Sequence, residues 1–128
     1  MTDYLGTPDY THGTPARTGV LLVNLGTPDE PTTSAVRRYL AEFLWDPRVI
    51  EQPRALWWLI LHGIILRTRP AKSAHAYQKV WTPAGSPLLV ESRALTDALA
   101  GRLRSRLGDR VRIELGMTYG NPSRGDAL

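Results

Sequence analysis

A chain of 128 residues amounts to a single domain, long enough to bury a usable core. With 42% hydrophobic and 22% charged residues, its composition is that of a globular protein and excludes disorder of the whole chain. It has no cysteine, which rules out disulfides, thiolate metal sites and a cysteine-held iron–sulfur cluster within these residues; the net charge of +4 favours anionic partners without choosing among them.

Residues 1–17 are polar and rich in Thr, Gly, Pro and Tyr, unlike a secretory signal. They show no periodic apolar pattern and read as a mobile, disordered tail ahead of a domain at 18–128. Within that tail Leu5, Gly6, Thr7, Pro8 and Asp9 repeat the run Leu25, Gly26, Thr27, Pro28 and Asp29. No strand-like run precedes the first copy, so it is assigned no function.

The nearly continuous apolar run at 19–25 predicts a strand covered on both faces, as in a parallel sheet. Thr32 or Thr33 can cap a helix running to about Leu44, with Val36, Tyr39, Leu40 and Phe43 at helical spacing, until Asp46 and Pro47 break it. A second helix is expected from about Pro53, a residue tolerated in a first turn, and carries the apolar stretch at 55–66. That stretch has about 12 residues, against roughly 20 needed to cross a bilayer. A third helix is expected at 71–81, a turn at 82–86 and a long helix at 87–107. In the long helix Leu88, Leu95, Leu99 and Leu103 form the expected buried stripe, and Gly108 ends it. A second strand is expected at 111–117. Strand, helices, strand is the opening of an α/β unit with a parallel sheet.

In open parallel sheets ligands collect beyond the carboxyl ends of the strands, where the turn at 24–28 is expected to lie. It is neither a dinucleotide fingerprint nor a P-loop, so a plain strand-to-helix connection is the competing reading. His12, His62 and His75 show no paired ligand spacing. His62 reads as a packed helix residue and His75 as a partly exposed one, and no metal ligand is assigned. The run Arg102, Arg104, Arg106 with Arg110 and Arg112 lacks interleaved aromatics. It reads as a solvated helix end suited to the helix dipole, and nucleic-acid binding is not expected. Trp57 and Trp58 belong either to a core helix or to an apolar lip that touches a membrane surface beside Arg54, Arg67 and Arg69.

Three segments, in order and at sensible intervals, carry a resemblance. GVLLVNLGTPDEP resembles the opening strand and loop of ferrochelatases. RPAKSAHAYQKVWTPAGSPL resembles that family's next signature, a basic residue, a tyrosine and a Gly-Ser-Pro turn. LGMTYGNPS resembles the strand and turn after the long helix. Together they cover about residues 18–123.

The resemblance implies an α/β fold: the incomplete first lobe of a chelatase-like, Rossmann-type parallel sheet flanked by helices, about the first third of the family's usual length. It implies insertion of ferrous iron into a porphyrin in haem biosynthesis, with Fe²⁺ and porphyrin as substrates and no bound cofactor in this chain. The porphyrin-binding positions it implies are Leu25 and Tyr77, to pack on the macrocycle, Arg69, to pair with a propionate, and Ser86, whose hydroxyl and amide suit a carboxylate. No catalytic residue is implied here, since the family's catalytic histidine and glutamate fall in later segments. The chain alone is therefore expected to be inactive, and the alternative is a non-catalytic α/β module that binds a tetrapyrrole or a membrane surface. The expected location is the cytoplasm, peripheral to the inner membrane surface through Trp57 and Trp58. One expectation joins these assignments: Leu25, Arg69, Tyr77 and Ser86 converge on a single pocket.

Overall fold

The structure is a computed structural model that describes residues 11–127; the first copy of the repeated pentapeptide lies outside them. Residues 11–17 are exposed and belong to neither helix nor strand. Strand β1 (Thr18–Thr27) pairs in parallel with β2 (Val111–Gly120), in a register that runs from Thr18 opposite Val111 to Thr27 opposite Gly120. Parallel pairing needs a crossover, and four helices supply it.

Thr32 caps α1 (Thr33–Trp45), its hydroxyl accepting from the Ala35 amide at 3.3 Å, and the extended backbone of Asp46 ends it. Helix α2 (Arg54–Ile60) starts directly after Pro53, and its apolar run continues through a π-helical turn (Leu61–Ile65) into α3 (Leu66–Val80). The sequence separates these two helices and starts the second after Pro70; the structure places Pro70 inside α3. A proline there withholds the amide that would bond the carbonyl four residues back, that of Leu66. Arg37 of α1 replaces it, donating from Nε to the Leu66 carbonyl at 3.0 Å. The interruption is satisfied from a neighbouring helix, so the chain does not need to break.

Ser86 caps α4 (Pro87–Leu107), Pro87 fills the first turn, and Gly108 ends it with φ of 66°. This helix lies against both strands, and of the expected leucine stripe Leu88, Leu99 and Leu103 are half-buried while Leu95 is not. Leu95 is 57% exposed, while Ser92 is buried and Thr96 half-buried. The reason is a polar contact: Asn24 of β1 donates from Nδ2 to Ser92 Oγ at 3.1 Å and fixes the rotation of α4 on the sheet. β1 is also less covered than its apolar run suggests, with Val23 and Leu25 about half exposed. A continuous apolar run states that both faces can be buried, not that these residues bury them.

A helical core of Trp57, Leu61 and Leu66, flanked by Leu40, Leu44 and Ile60, joins α1 to the α2–α3 rod. The sheet contributes Val111, Leu115, Met117 and Tyr119 to the interior. α1 is held at the carboxyl ends of the strands rather than along their face, and this brings the helical group to the end where the turn at 24–28 emerges.

Candidate functional site

Three residues on one face of α1, at spacing i, i+3 and i+7, reach the strand ends. Tyr39 donates its hydroxyl to the Gly26 carbonyl at 3.1 Å. Glu42 accepts from the Gly120 amide at 3.1 Å. Asp46, at the end of the helix, accepts from the Tyr119 hydroxyl at 2.8 Å. Phe43 sits between them, stacked on Tyr39 and edge-on to Tyr119 with centroids 5.0 Å apart. The sequence shows the apolar members of this face at helical spacing. Its polar members are what bind the helix to the sheet.

The strand ends can approach because both carry glycine. Gly26 has φ of 120°, and a Cβ there would collide with the Tyr119 carbonyl; Gly120 has φ of 77°, and its Cβ would lie 2.7 Å from the Thr27 carbonyl. Beside them a cavity of about 170 Å³ is lined by Thr27, Asp29, Arg38, Tyr39, Glu42 and Asn121. Asn121 Nδ2 donates to both oxygens of Asp29, at 3.2 and 3.1 Å, which ties the second strand's turn to the first. Thr27 Oγ1 is buried here and has no hydrogen-bond partner.

Burial pushes the Tyr39 phenol up to about 12, helped by the nearby Tyr77, Glu42 and Tyr119. Tyr77 is half-buried and is itself shifted upward by burial. At the end of α1, Asp46 is held well below the usual carboxylate range. The main cause is the Arg48 guanidinium, which bonds both carboxylate oxygens; the Arg48 amide and the Tyr119 hydroxyl add to it.

The four expected site residues fall as follows. Leu25 is 51% exposed and sits at the strand-end turn, beside the Gly26 carbonyl that Tyr39 holds. Tyr77 is among the groups that raise the Tyr39 phenol, and Tyr39 in turn bonds the Gly26 carbonyl next to Leu25. Tyr77 also lines a shallow depression with Ser73, Ala76 and Val80. Leu25, Arg69 and Ser86 do not line it. Arg69 is exposed and lies eight residues before Tyr77 on the same helix, about 12 Å along its axis. It shares the side of α3 that carries Ser73 and Ala76. Ser86 is only 2% exposed, and its Oγ accepts from the Leu89 amide at 3.3 Å. Its oxygen serves the helix cap, and it does not line the depression that holds Tyr77.

The tryptophan pair divides. Trp57 is core, donating from Nε1 to the Leu44 carbonyl at 2.7 Å, whereas Trp58 is half exposed and stacks on His62 with centroids 4.7 Å apart. His62 is thus exposed rather than packed, because the π turn rotates it onto the outer surface. Leu56, Leu59 and Ile64 are also more than half exposed on this limb. Among the described residues no helix is long and apolar enough to cross a membrane. No group of three or more His, Asp or Glu side chains among them is placed to hold a metal ion.

A two-stranded parallel sheet flanked by helices, with its strand-end turns held against α1, is an α/β arrangement. A family model described as Ferrochelatase matches residues 17–128. The ferrochelatase of Thioalkalivibrio sulfidiphilus is 60% identical over 118 residues, covering 92% of this chain and 32% of the relative. That of Marinobacter nauticus is 57% identical over 120 residues, covering 94% and 32%. That of Aromatoleum aromaticum is 54% identical over 128 residues, covering 100% and 35%. The chain belongs to the ferrochelatase family. It spans about a third of the length of the curated relatives it matches.

Proposed function

We propose that this chain forms one wall of the porphyrin cleft of an enzyme that inserts ferrous iron into a porphyrin, with the iron and the macrocycle as substrates. The observation that carries the reading is the match to ferrochelatases over residues 17–128, which includes both strand-end turns and the whole of α3. Leu25 offers exposed apolar surface for the flat macrocycle, and Tyr77 an aromatic edge raised on the helix behind it. Arg69, unpaired with any carboxylate among the described residues, suits a propionate at the outer edge of the same wall. Ser86 contributes by fixing the start of α4 and the turn before it.

This wall binds and orients; binding energy along the macrocycle edge is what can hold the ring in a bent form that exposes its nitrogens to the metal. The exposed side chains of Leu56, Trp58, Leu59 and Ile64 would rest on the cytoplasmic membrane surface, where an apolar substrate is delivered.

A chimera tests the reading. The N-terminal third of the Thioalkalivibrio sulfidiphilus relative is replaced by this chain, and Fe²⁺ or Zn²⁺ insertion is followed by the porphyrin absorbance. Insertion is expected to persist, and Leu25→Asp or Tyr77→Ala in the chimera is expected to weaken porphyrin binding by about tenfold, roughly 1.4 kcal/mol. A folded chimera with no insertion sinks the proposal. For the membrane surface, anionic vesicles at low salt should bind the chimera and release it after Trp58→Glu/Leu59→Glu.

A further inference from the structure

At the other end of the sheet three parts of the chain bring arginines together. Arg17 precedes β1, Arg104 lies in the last turn of α4 and Arg112 is the second residue of β2. They surround a depression of about 560 Å³ that Asp109, Ile113 and Glu114 also line. Arg102, Arg106 and Arg110 are exposed but do not line it. Among the described residues the only ion pair at this end joins Arg112 Nε to Glu114 Oε1 at 3.0 Å. The negative end of the α4 dipole accounts for Arg104 and Arg106, but not for Arg17 and Arg112, which come from other elements.

We propose that this arginine-lined depression docks an acidic segment of a partner protein. Guanidinium groups bind carboxylates through paired N–H donors, and convergent positive charge speeds encounter with an acidic surface. Asp109 and Glu114 in the lining fit a protein segment, whose carboxylates can be spaced to meet the arginines, better than a phosphate backbone with its evenly repeated charge. A lipid surface fits less well, because a flat array of anionic headgroups would press on Asp109 and Glu114 as well as on the arginines, whereas a segment can seat its carboxylates on the arginines alone. The assignment goes beyond the porphyrin reading and stands or falls apart from it, because no residue is shared.

The test uses the full chain and a fluorescent oligoglutamate peptide, read by anisotropy at low salt. Arg104→Glu/Arg112→Glu is compared with Lys72→Glu/Lys79→Glu, an equal charge change on α3. The first pair is expected to weaken binding by at least about tenfold and the second by less than about twofold, the contrast expected of local pairing against net charge. Arg17→Glu, outside every helix and strand, is expected to weaken binding by about threefold and covers the case in which the double variant unfolds. Equal losses from both pairs overturn the proposal, as does an oligothymidylate of matched charge, or an anionic vesicle, that binds the unmodified depression at least as tightly as the peptide.

Discussion

The Tyr119 hydroxyl lies 2.8 Å from Asp46 Oδ2, although 73 residues separate them in the chain. The bond joins the end of the second strand to the point where α1 stops and the apolar limb begins. If it fastens these two units together, the partners are coupled. Tyr119→Phe and Asp46→Asn should each lower the urea midpoint, and the double variant should fall little further than the worse single one. Strictly additive losses would show that the contact carries no coupling.

Acid stability follows from the same carboxylate. The Asp46 carboxyl is held below its ordinary value in the folded chain, by Arg48 first and Tyr119 after it. Folding therefore gains from its ionised form above the unfolded value near about 3.9, and that gain is lost as pH falls through the lower folded value. Asp126, lowered by its bonds from Ser123, acts in the same direction. Urea midpoints taken from neutral pH downward should drop below about pH 4, and Asp46→Asn should make the drop shallower. An unchanged acid limb in that variant would remove Asp46 from the explanation.

The two strand-end glycines should tolerate nothing larger. Gly26→Ala and Gly120→Ala each place a Cβ against a carbonyl of the facing strand and also force a left-handed backbone, and the expected cost exceeds about 3 kcal/mol. Gly19→Ala, with open space and an ordinary φ, should change stability by less than about 1 kcal/mol. Thermal melts of the three variants decide it, and a well-folded Gly26→Ala chain would contradict the packing described for the turn.

Removing Arg37 should expose the cost of Pro70. Arg37→Ala leaves the Leu66 carbonyl without its donor and should destabilise the chain by about 1–2 kcal/mol. In a Pro70→Ala background, where the helix can supply its own amide, the same substitution should cost less. Equal costs in both backgrounds would show that Arg37 acts elsewhere.

Local chemistry written in the sequence settled the elements and the family. The cap at Thr32, the break at Asp46 and Pro47, the Ser86–Pro87 start and the Gly108 stop fall where side-chain oxygens, ring closure and a glycine φ dictate. The parallel pairing of the two strands follows from the helices between them. Tertiary structure decided what those local rules cannot see. Pro70 ends a helix only if nothing replaces its amide, and the replacement sits 29 residues away on Arg37. The rotation of α4 depends on Asn24 meeting Ser92, which turns Leu95 outward against its apolar spacing. Ser86 can cap α4 only where the Leu89 amide comes within reach of its oxygen, which the folded chain alone shows. A residue type fixes which bonds it can make; which partner is within reach is a property of the folded chain alone.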